Sequence, residues 1–387
     1  MLAESDHQPS LAELAFVFLK LGTIAFGGPA AHIAMMEEEF VRKRHWITHA
    51  DFLDRLAAAS LIPGPSSTEV AIFIGRARRG WAGLVVAGCC FILPAAVLVE
   101  LIASAYVRFG SLPHVAGILH VIKPAVIAII VQALWTLSRT AIKTPTLAVV
   151  GGLTVIASAL GMSPLTVLAL AGLASAVAHW IKRPKPALLL LALPPQRCVL
   201  LAGTAAAATI FAVPVSLMRL FLSFLKIGSA VFGSGYVLLA FLRAEFIDHL
   251  HWLTETQLLD AVAVGQFTPG PVFTTATFIG YVVAGVPGAA VATVGIFLPG
   301  FLFVAASEPL LPRLRRSPTA SAVLDGIVVG SLALMAVVAW QLGRSTLLDW
   351  PSILIFLASA VALLRFRLNS AWIIAGAALI GLALRIH

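Results

Sequence analysis

The sequence predicts an all-α polytopic membrane protein arranged as an inverted structural repeat, with about five transmembrane helices plus a re-entrant hairpin in each half. Three observations predict it. Apolar character runs almost from end to end, the chain matches itself over most of its length, and its cationic clusters change sides between the two copies. Of 387 residues, 60% are hydrophobic and only 11% are charged, with a mean hydropathy of +1.00. Soluble chains average about 45–50% apolar and about 25% charged residues. A crossing helix needs roughly 20 apolar residues, so the length suits about ten crossings with short loops. No polar stretch is long enough for a separate soluble domain. The acidic start MLAESDHQPS lacks the basic region of a signal peptide.

In a soluble chain the net charge of +9 and pI near 10.0 would suggest nucleic acid. Here the cations sit between apolar segments, at Arg42-Lys43-Arg44, Arg76/Arg78/Arg79, Lys182-Arg183/Lys185, Arg313/Arg315/Arg316 and Arg365/Arg367. That is the pattern of cytoplasmic loops, so the expected partner is the lipid bilayer and not nucleic acid. Cys89, Cys90 and Cys198 form neither a CxxC nor a metal-ligand spacing, so no metal, disulfide framework or thiol cofactor is expected.

The internal match sets the domain plan. FLKLGTIAFGG (18–28) returns as FLKIGSAVFGS (224–234), and LIPGP (61–65) as FTPGP (267–271). Lys20 thus pairs with Lys226, Glu39 with Glu245, Trp46 with Trp252 and Asp54 with Asp260. One residue is then dropped, after which Gly75 meets Gly280, Leu93-Pro94 meets Leu298-Pro299, and Trp135 meets Trp340. The expected units are 1–187, a linker 188–214, and an inverted copy 215–387.

Each copy opens with an apolar helix, about 11–26 in the first, that breaks at Gly27-Gly28-Pro29 or at Phe232-Gly233-Ser234-Gly235. After a charged loop comes a short helix, opened by the capping-box pattern Thr254-x-x-Gln257 in the second copy and by Thr48-x-x-Asp51 in the first. It stops at Pro63-Gly64-Pro65 or Pro269-Gly270-Pro271. A second short piece runs to Gly75 or Gly280, and four apolar segments follow, near 81–106, 117–138, 145–160 and 164–181 in the first copy. The loops before and after the Pro-Gly-Pro unit are both basic in the first copy. Equal charge on both sides implies a unit that enters and returns on one face. In the second copy the cations move to the other loops, implying the opposite orientation. The apolar stretch 188–215 would spoil the inversion as a single crossing and reads as a hairpin or interfacial segment.

Backbone that leaves the helix within a membrane survives only when buried in protein or lining a polar cavity. Four breaks at matched positions therefore read as a binding site. The helix after each Pro-Gly-Pro starts with Ser66-Ser67-Thr68 or Val272-Phe273-Thr274-Thr275, so free amides, a positive dipole end and hydroxyls favour an oxyanion. Packing glycines and kinks are the bland alternative, which a single Pro-Gly-Pro would favour. Lys20 and Lys226 lie inside apolar runs. They are expected to project towards a shared interface, with snorkelling as the rival reading. Glu69 and Glu100 are the proton-coupling candidates, against a surface role or a pairing with Arg76 for Glu69 and nearness to the far membrane face for Glu100. His45 and His251 read as interfacial anchors. His32 reads more simply as a capping histidine than as a cavity residue.

Taken together, AFGGPAAHI, MEEEFVRKRHWIT, LIPGPSSTE and GWAGLVVAGCCFILP in the first copy resemble the chromate ion transporter family in its long, two-domain form. FGSGYVLLAFL, GQFTPGP, ATFIGY and GIFLPGF do so in the second. The resemblance implies a bacterial inner-membrane exporter of chromate that confers chromate resistance. Its motif residues fall on Phe26, Gly27, Gly28, Pro29, Pro63, Gly64 and Pro65, then Phe232, Gly233, Gly235, Pro269, Gly270 and Pro271. An amide commonly stands three positions before the first proline, as Gln266 does, but the first copy has Ser60. Sulfate, another tetrahedral dianion, is the alternative substrate, and a channel the alternative mode. A homodimer is compatible with this reading. There is no GxxxxGK[ST], HExxH or Ser/His/Asp grouping, so neither ATP drive nor an enzyme is expected, and no cofactor.

Overall fold

The computed structural model describes residues 8–26, 28–110, 112–182, 215–232, 235, 237–307, 317–366 and 368–383. Gly27, Gly233, Ser234, the linker 188–214 and the Arg313/Arg315/Arg316 cluster lie outside the described residues. All regular structure in the described residues is helical.

The first half begins with α1 (Leu11–Ile24), whose Ser10 cap accepts from the Glu13 amide, and the break at Ala25–Gly28 leads into α2 (Gly28–Glu37). A π-helical turn (Glu38–Lys43) and α3 (His49–Ala59) follow, the latter capped by Thr48. Then come α4 (Ser66–Phe109), α5 (Pro113–Ala141), α6 (Pro145–Ala159) and α7 (Pro164–Lys182). The second half repeats the order as α8 (Leu217–Ala230), α9 (Leu238–Leu242), a π-helical turn (Arg243–His249) and α10 (Glu255–Phe267). A single 3-10 turn (Val272–Thr274) precedes α11 (Thr275–Ser307), α12 (Pro318–Thr346), α13 (Trp350–Phe366) and α14 (Ser370–Ala383). Thr254 and Gln257 form the expected capping box at α10.

The copies agree in detail. His45 and His251, repeat partners, both take positive φ (50° and 55°), and each is followed by a tryptophan whose amide bonds back to Phe40 or Phe246. Phe18 packs on Phe40 at 5.0 Å between ring centres, and Phe224 packs on Phe246 at 4.9 Å.

The unit after each Pro-Gly-Pro does fold back. Helical geometry in α4 fails at Arg79 and Gly80 (φ 57°, ψ −140°), and in α11 at Ala284 and Gly285 (φ 63°, ψ −154°). Beyond each reversal the chain packs against itself, backbone on backbone. A Cβ at Gly75 would fall 2.3 Å from the Gly83 carbonyl oxygen, and one at Gly280 would fall 2.3 Å from that of Gly288. Small residues at such crossings permit this approach.

Five helices of the described residues are long and apolar enough to cross a membrane: Ser66–Phe109, Gly117–Ala141, Pro164–Ile181, Val272–Ser307 and Pro318–Thr346. Pro145–Ala159, Trp350–Phe366 and Ser370–Ala383 are apolar but shorter. At about 1.5 Å per residue, the 14-residue α1 and α8 reach about 21 Å, short of a bilayer core of about 30 Å. Among the described residues, helices of full crossing length and apolarity therefore number five.

The halves are interlocked. In each, the first helix lies on the long helix after the hairpin, α1 on α4 and α8 on α11, while α4 and α11 pack on each other. Beyond them the pairing is exchanged: α5 packs on α13 and α14, and α12 packs on α6 and α7. The repeat partners α5 and α12 run antiparallel. Lys143 at the end of α5 bonds Asp325 near the start of α12 at 2.8 Å, and Ile127 lies against Gly343.

Candidate functional site

The breaks of the two halves meet through backbone hydrogen bonds. Gly64, at the first hairpin tip, donates its N–H to the Val231 carbonyl at the end of α8 (2.8 Å). Gly270, at the second tip, donates to the Ala25 carbonyl at the end of α1 (2.9 Å). Ala25 and Val231 are repeat partners, as are the two glycines, so each half closes the broken helix of the other. Both tip glycines are buried at positive φ, 137° and 88°, a region open to glycine at little cost. A Cβ at Gly64 would lie 2.3 Å from Glu69 Oε1, and one at Gly270 would lie 2.7 Å from Ala95 Cβ.

This arrangement brings together Gly64, Pro65, Pro269, Gly270 and Pro271, all buried, with half-buried Pro63 and the neighbouring breaks. Gly28 starts α2 at φ 78° with half-buried Pro29 beside it, and Gly235 packs near Val272 and Phe273. The tip amides are taken by carbonyls of the opposite half, and backbone remains on offer at the buried Val272-Phe273 start of the second unit and at the Ser66-Ser67 end of α4. There no side chain caps the helix, Ser66 is half-buried and Ser67 buried.

His32 does more than cap. It is buried, its Nε2 lies 3.0 Å from the Ala25 carbonyl and so donates to it, and its Nδ1 lies 3.3 Å from Ser67 Oγ. It thereby ties the first break to both hairpins.

Glu69 is fully buried, and neither carboxylate oxygen has a hydrogen bond. Its neighbours include the Gly64 tip and Gly300 of α11. A surface role is thus overturned. Arg76 reaches instead for the Ala305 and Val304 carbonyls (2.6 and 3.3 Å) and lies over the Trp81 ring. Glu100 is half-exposed along α4.

The lysines are not at the junction. Lys20 is exposed on α1, and Lys226 is exposed on α8 and bonded to Glu245 Oε2 at 2.6 Å. The expectation that the pair projects into one shared interface is not met at the tips: Lys226 instead lines a separate cleft of about 430 Å³ with Ser158, Gly161 and Leu165 of the first half. The buried stripe of each helix (Leu14, Val17, Phe18 and Leu21; Leu220, Phe224 and Ile227) takes the packed face, and the lysines fall outside it.

Two spaces approach the tips, and they differ. A cleft of about 360 Å³ lies between the end of α5 and the start of α12 and reaches Ser60 and Leu61 at the first tip and Phe232 at the second break. Ser331 also lines it, buried and with an unpartnered hydroxyl. Gln266 is the repeat partner of Ser60, yet the space beside it, Gly235 and Ile130 is about 10 Å³, room for a water molecule at most.

Around Gln266 the second hairpin is seated on the first half. Asp260 on α10 is 2% exposed, accepts from the Tyr106 hydroxyl of α4 at 3.0 Å, and lies 3.9 Å from Lys123 Nζ of α5. At the base of the hairpin, Arg243 bonds Glu255 at 2.5 Å. Burial pushes the Glu255 carboxyl up, but hydrogen bonds from Arg243 and Ser345 and the Arg243 charge outweigh it and hold the group below the usual carboxylate range. Sequence reasoning passed over Lys123, Tyr106 and Ser331. Only Lys123 carries a readable signal, a lysine deep in an apolar segment.

Among the described residues no cluster of His, Cys, Asp and Glu is disposed to hold a metal. The model of the family described as "Chromate transporter" matches residues 12–180 and again 218–382. The chain is 34% identical to the chromate transport protein of Cupriavidus metallidurans over 385 residues, covering 96% of this chain and 93% of that one. It is 32% identical to the probable chromate transport protein of Synechococcus elongatus over 371 residues (91% and 90%). With the chromate transport protein of Pseudomonas aeruginosa the identity is 30% over 398 residues (96% and 92%). No solved structure matches the chain.

Proposed function

The chain belongs to the chromate transporter family, a family of transport proteins and not of enzymes, and on that premise we propose that it is a secondary transporter exporting chromate across the bacterial inner membrane and conferring chromate resistance. The observation that carries this reading is the cleft of about 360 Å³ that leads from one end of the α5/α12 pair to the first hairpin tip.

The two family-matched halves act as an inverted repeat, a reading supported by the antiparallel run of α5 and α12 and by the reversed cationic loops. With Arg42-Lys43-Arg44 and Arg76/Arg78/Arg79 cytoplasmic, the end of α5 is cytoplasmic too, so the cleft faces the compartment from which chromate must be loaded. An entering dianion passes the Lys143–Asp325 pair at the mouth and meets the Ser60 and Ser331 hydroxyls further in. At the tips it meets the Ser66-Ser67 end of α4. Hydroxyls, amides and a helix dipole suit a tetrahedral oxyanion without any metal. Of the remaining break and tip residues, Gly28 and Pro29 of the first half and Gly235, Gln266 and Pro269 to Pro271 of the second shape the same seat. A cell interior at negative potential favours expulsion by roughly 2.3 kcal/mol per net charge per 100 mV, and the net charge is −1 when one proton accompanies the dianion.

Glu69 is the proton carrier in this reading. An ionised carboxylate with both oxygens unpaired in the protein interior is very costly, and one beside a bound dianion is costlier still. Proton and anion therefore bind together, and transport falls as pH rises.

Labelled chromate uptake into inverted vesicles, with potential and pH gradients imposed separately and sulfate as competitor, tests this. Saturable uptake driven by an interior-positive potential is expected, weakening over the alkaline range where chromate itself stays a dianion. The Glu69→Gln protein should transport with that pH dependence flattened. Flux that neither saturates nor responds to a gradient would make the protein a pore.

A further inference from the structure

Repeat partners occupy opposite situations on the two sides of the tip junction. Val328 of α12 lines the open cleft with Ser60 and Leu61. Its partner on α5, in the register set by Leu93-Pro94 and Leu298-Pro299, is Lys123. The corresponding region on that side is filled, because α10 packs on α5 and α14. The first hairpin's α3 packs on α4 and has no comparable seat on α12 or α7 among the described residues. What holds α10 down includes a buried carboxylate that meets a cation of the other half, Asp260 with Lys123 at 3.9 Å, and accepts from Tyr106 at 3.0 Å.

The contact is incomplete in an informative way. Tyr106 satisfies Asp260 Oδ2, but Oδ1 is buried with no hydrogen bond, and the lysine amine stands beyond hydrogen-bonding distance. A pair kept only for stability would be expected to close to contact, because a loose buried pair recovers little of its desolvation cost. A pair that must part in each cycle is better left loose.

We propose that Asp260, Lys123 and Tyr106 form the gate that shuts the second hairpin's side in this conformation, and that Lys123, once parted from Asp260, is the cation that an oxyanion meets on its way out. Resting on the transport reading, this deepens it by assigning a second anion-binding group to the exit side. When α10 lifts, the space that opens corresponds to the cleft around Val328, with an ammonium where that cleft has a valine. Lysine suits the role, being a compact point charge on a flexible stem that can follow either carboxylate or substrate. Opening exposes the cation as the anion arrives, and reclosing returns Asp260 to displace it. The entrance has no equivalent cation in its depth, so the anion is drawn towards the exit only when the exit is open.

The test uses the full chain in membranes, with Cys89, Cys90 and Cys198 replaced and a single reporter, Gln266→Cys. Labelling by an impermeant thiol reagent from the outer face is followed. Asp260→Asn and Lys123→Met should each raise the labelling rate several-fold, and Tyr106→Phe should raise it less. The exchanged pair Lys123→Asp with Asp260→Lys should bring it back towards the parent rate. Unchanged labelling in both single variants, or an exchanged pair that labels like the singles, would overturn the gate. The exit role is read separately, on the parent chain without the reporter. Asp260→Asn, which lacks the displacing carboxylate, should slow chromate flux, and adding Lys123→Met should lower it several-fold further at equal protein. Equal flux in those two variants would overturn Lys123 as an anion-binding group. Failure of the transport reading would instead show as absent uptake in the parent protein, whatever the labelling does.

Discussion

The two hairpins share a backbone plan and differ in what they carry. Each rises to a Pro-Gly-Pro tip whose glycine bonds to the broken helix of the opposite half, at 2.8 and 2.9 Å. Behind the first tip stands Glu69, buried and unpaired. Behind the second stand Thr274 and Thr275, whose hydroxyls bond back to the Pro271 and Val272 carbonyls at 2.8 Å. Even the base contacts are exchanged in sign. Glu37 faces His49 at 3.4 Å in the first half, and their partners are Arg243 and Glu255 at 2.5 Å in the second. Duplication therefore supplies the frame, and a few substitutions make the sides unequal. One hairpin stands off its neighbours and leaves a cleft, while the other is clamped by Asp260.

The hardest way to break the comparison is to deny either tip its glycine. Gly64→Val and Gly270→Val should each abolish chromate uptake in inverted vesicles at matched protein amounts. Both positions have positive φ, and a Cβ would strike Glu69 or Ala95. The strain is of order 1–3 kcal/mol before any clash, so Ala should also be impaired. Normal transport in both valine proteins would reduce the tips to packing elements.

A topological comparison sharpens the frame itself. Cysteines placed singly at Arg44 and at His249, the repeat partner of Lys43, should label from opposite faces of intact cells. Arg44 lies in the ion-paired loop with Glu13 and Glu39, and His249 is exposed. Labelling from the same face would mean that the halves are parallel.

The smallest effect is expected at the lysines. Lys226→Met removes a half-exposed pair with Glu245, worth about 0.2–1 kcal/mol, and Lys20→Met removes an exposed charge. Thermal stability should shift slightly for Lys226→Met, with apparent chromate affinity little changed in either. A large loss of affinity at matched protein would return the lysines to the anion path.

Sequence alone determined the helical membrane class, the duplication, the capped starts at Thr48 and Thr254, and the places where helices break, since these follow from hydropathy, self-similarity and the backbone chemistry of Gly, Pro and Thr. The breaks that gather at the tip junction were legible for the same reason, as breaks at membrane depth need protein or a cavity around them. Only the tertiary structure decided which groups meet. Gly64 with Val231, Gly270 with Ala25, and Asp260 with Lys123 and Tyr106 are contacts between halves, and the exchange that makes them leaves no periodic trace in either copy. The lysine pair shows the converse. Two charges matched in sequence and conspicuous in apolar runs lie off the packed stripes of α1 and α8 and away from the tips, because helical phase relative to the packed stripe, and not hydropathy, sets which way a side chain points.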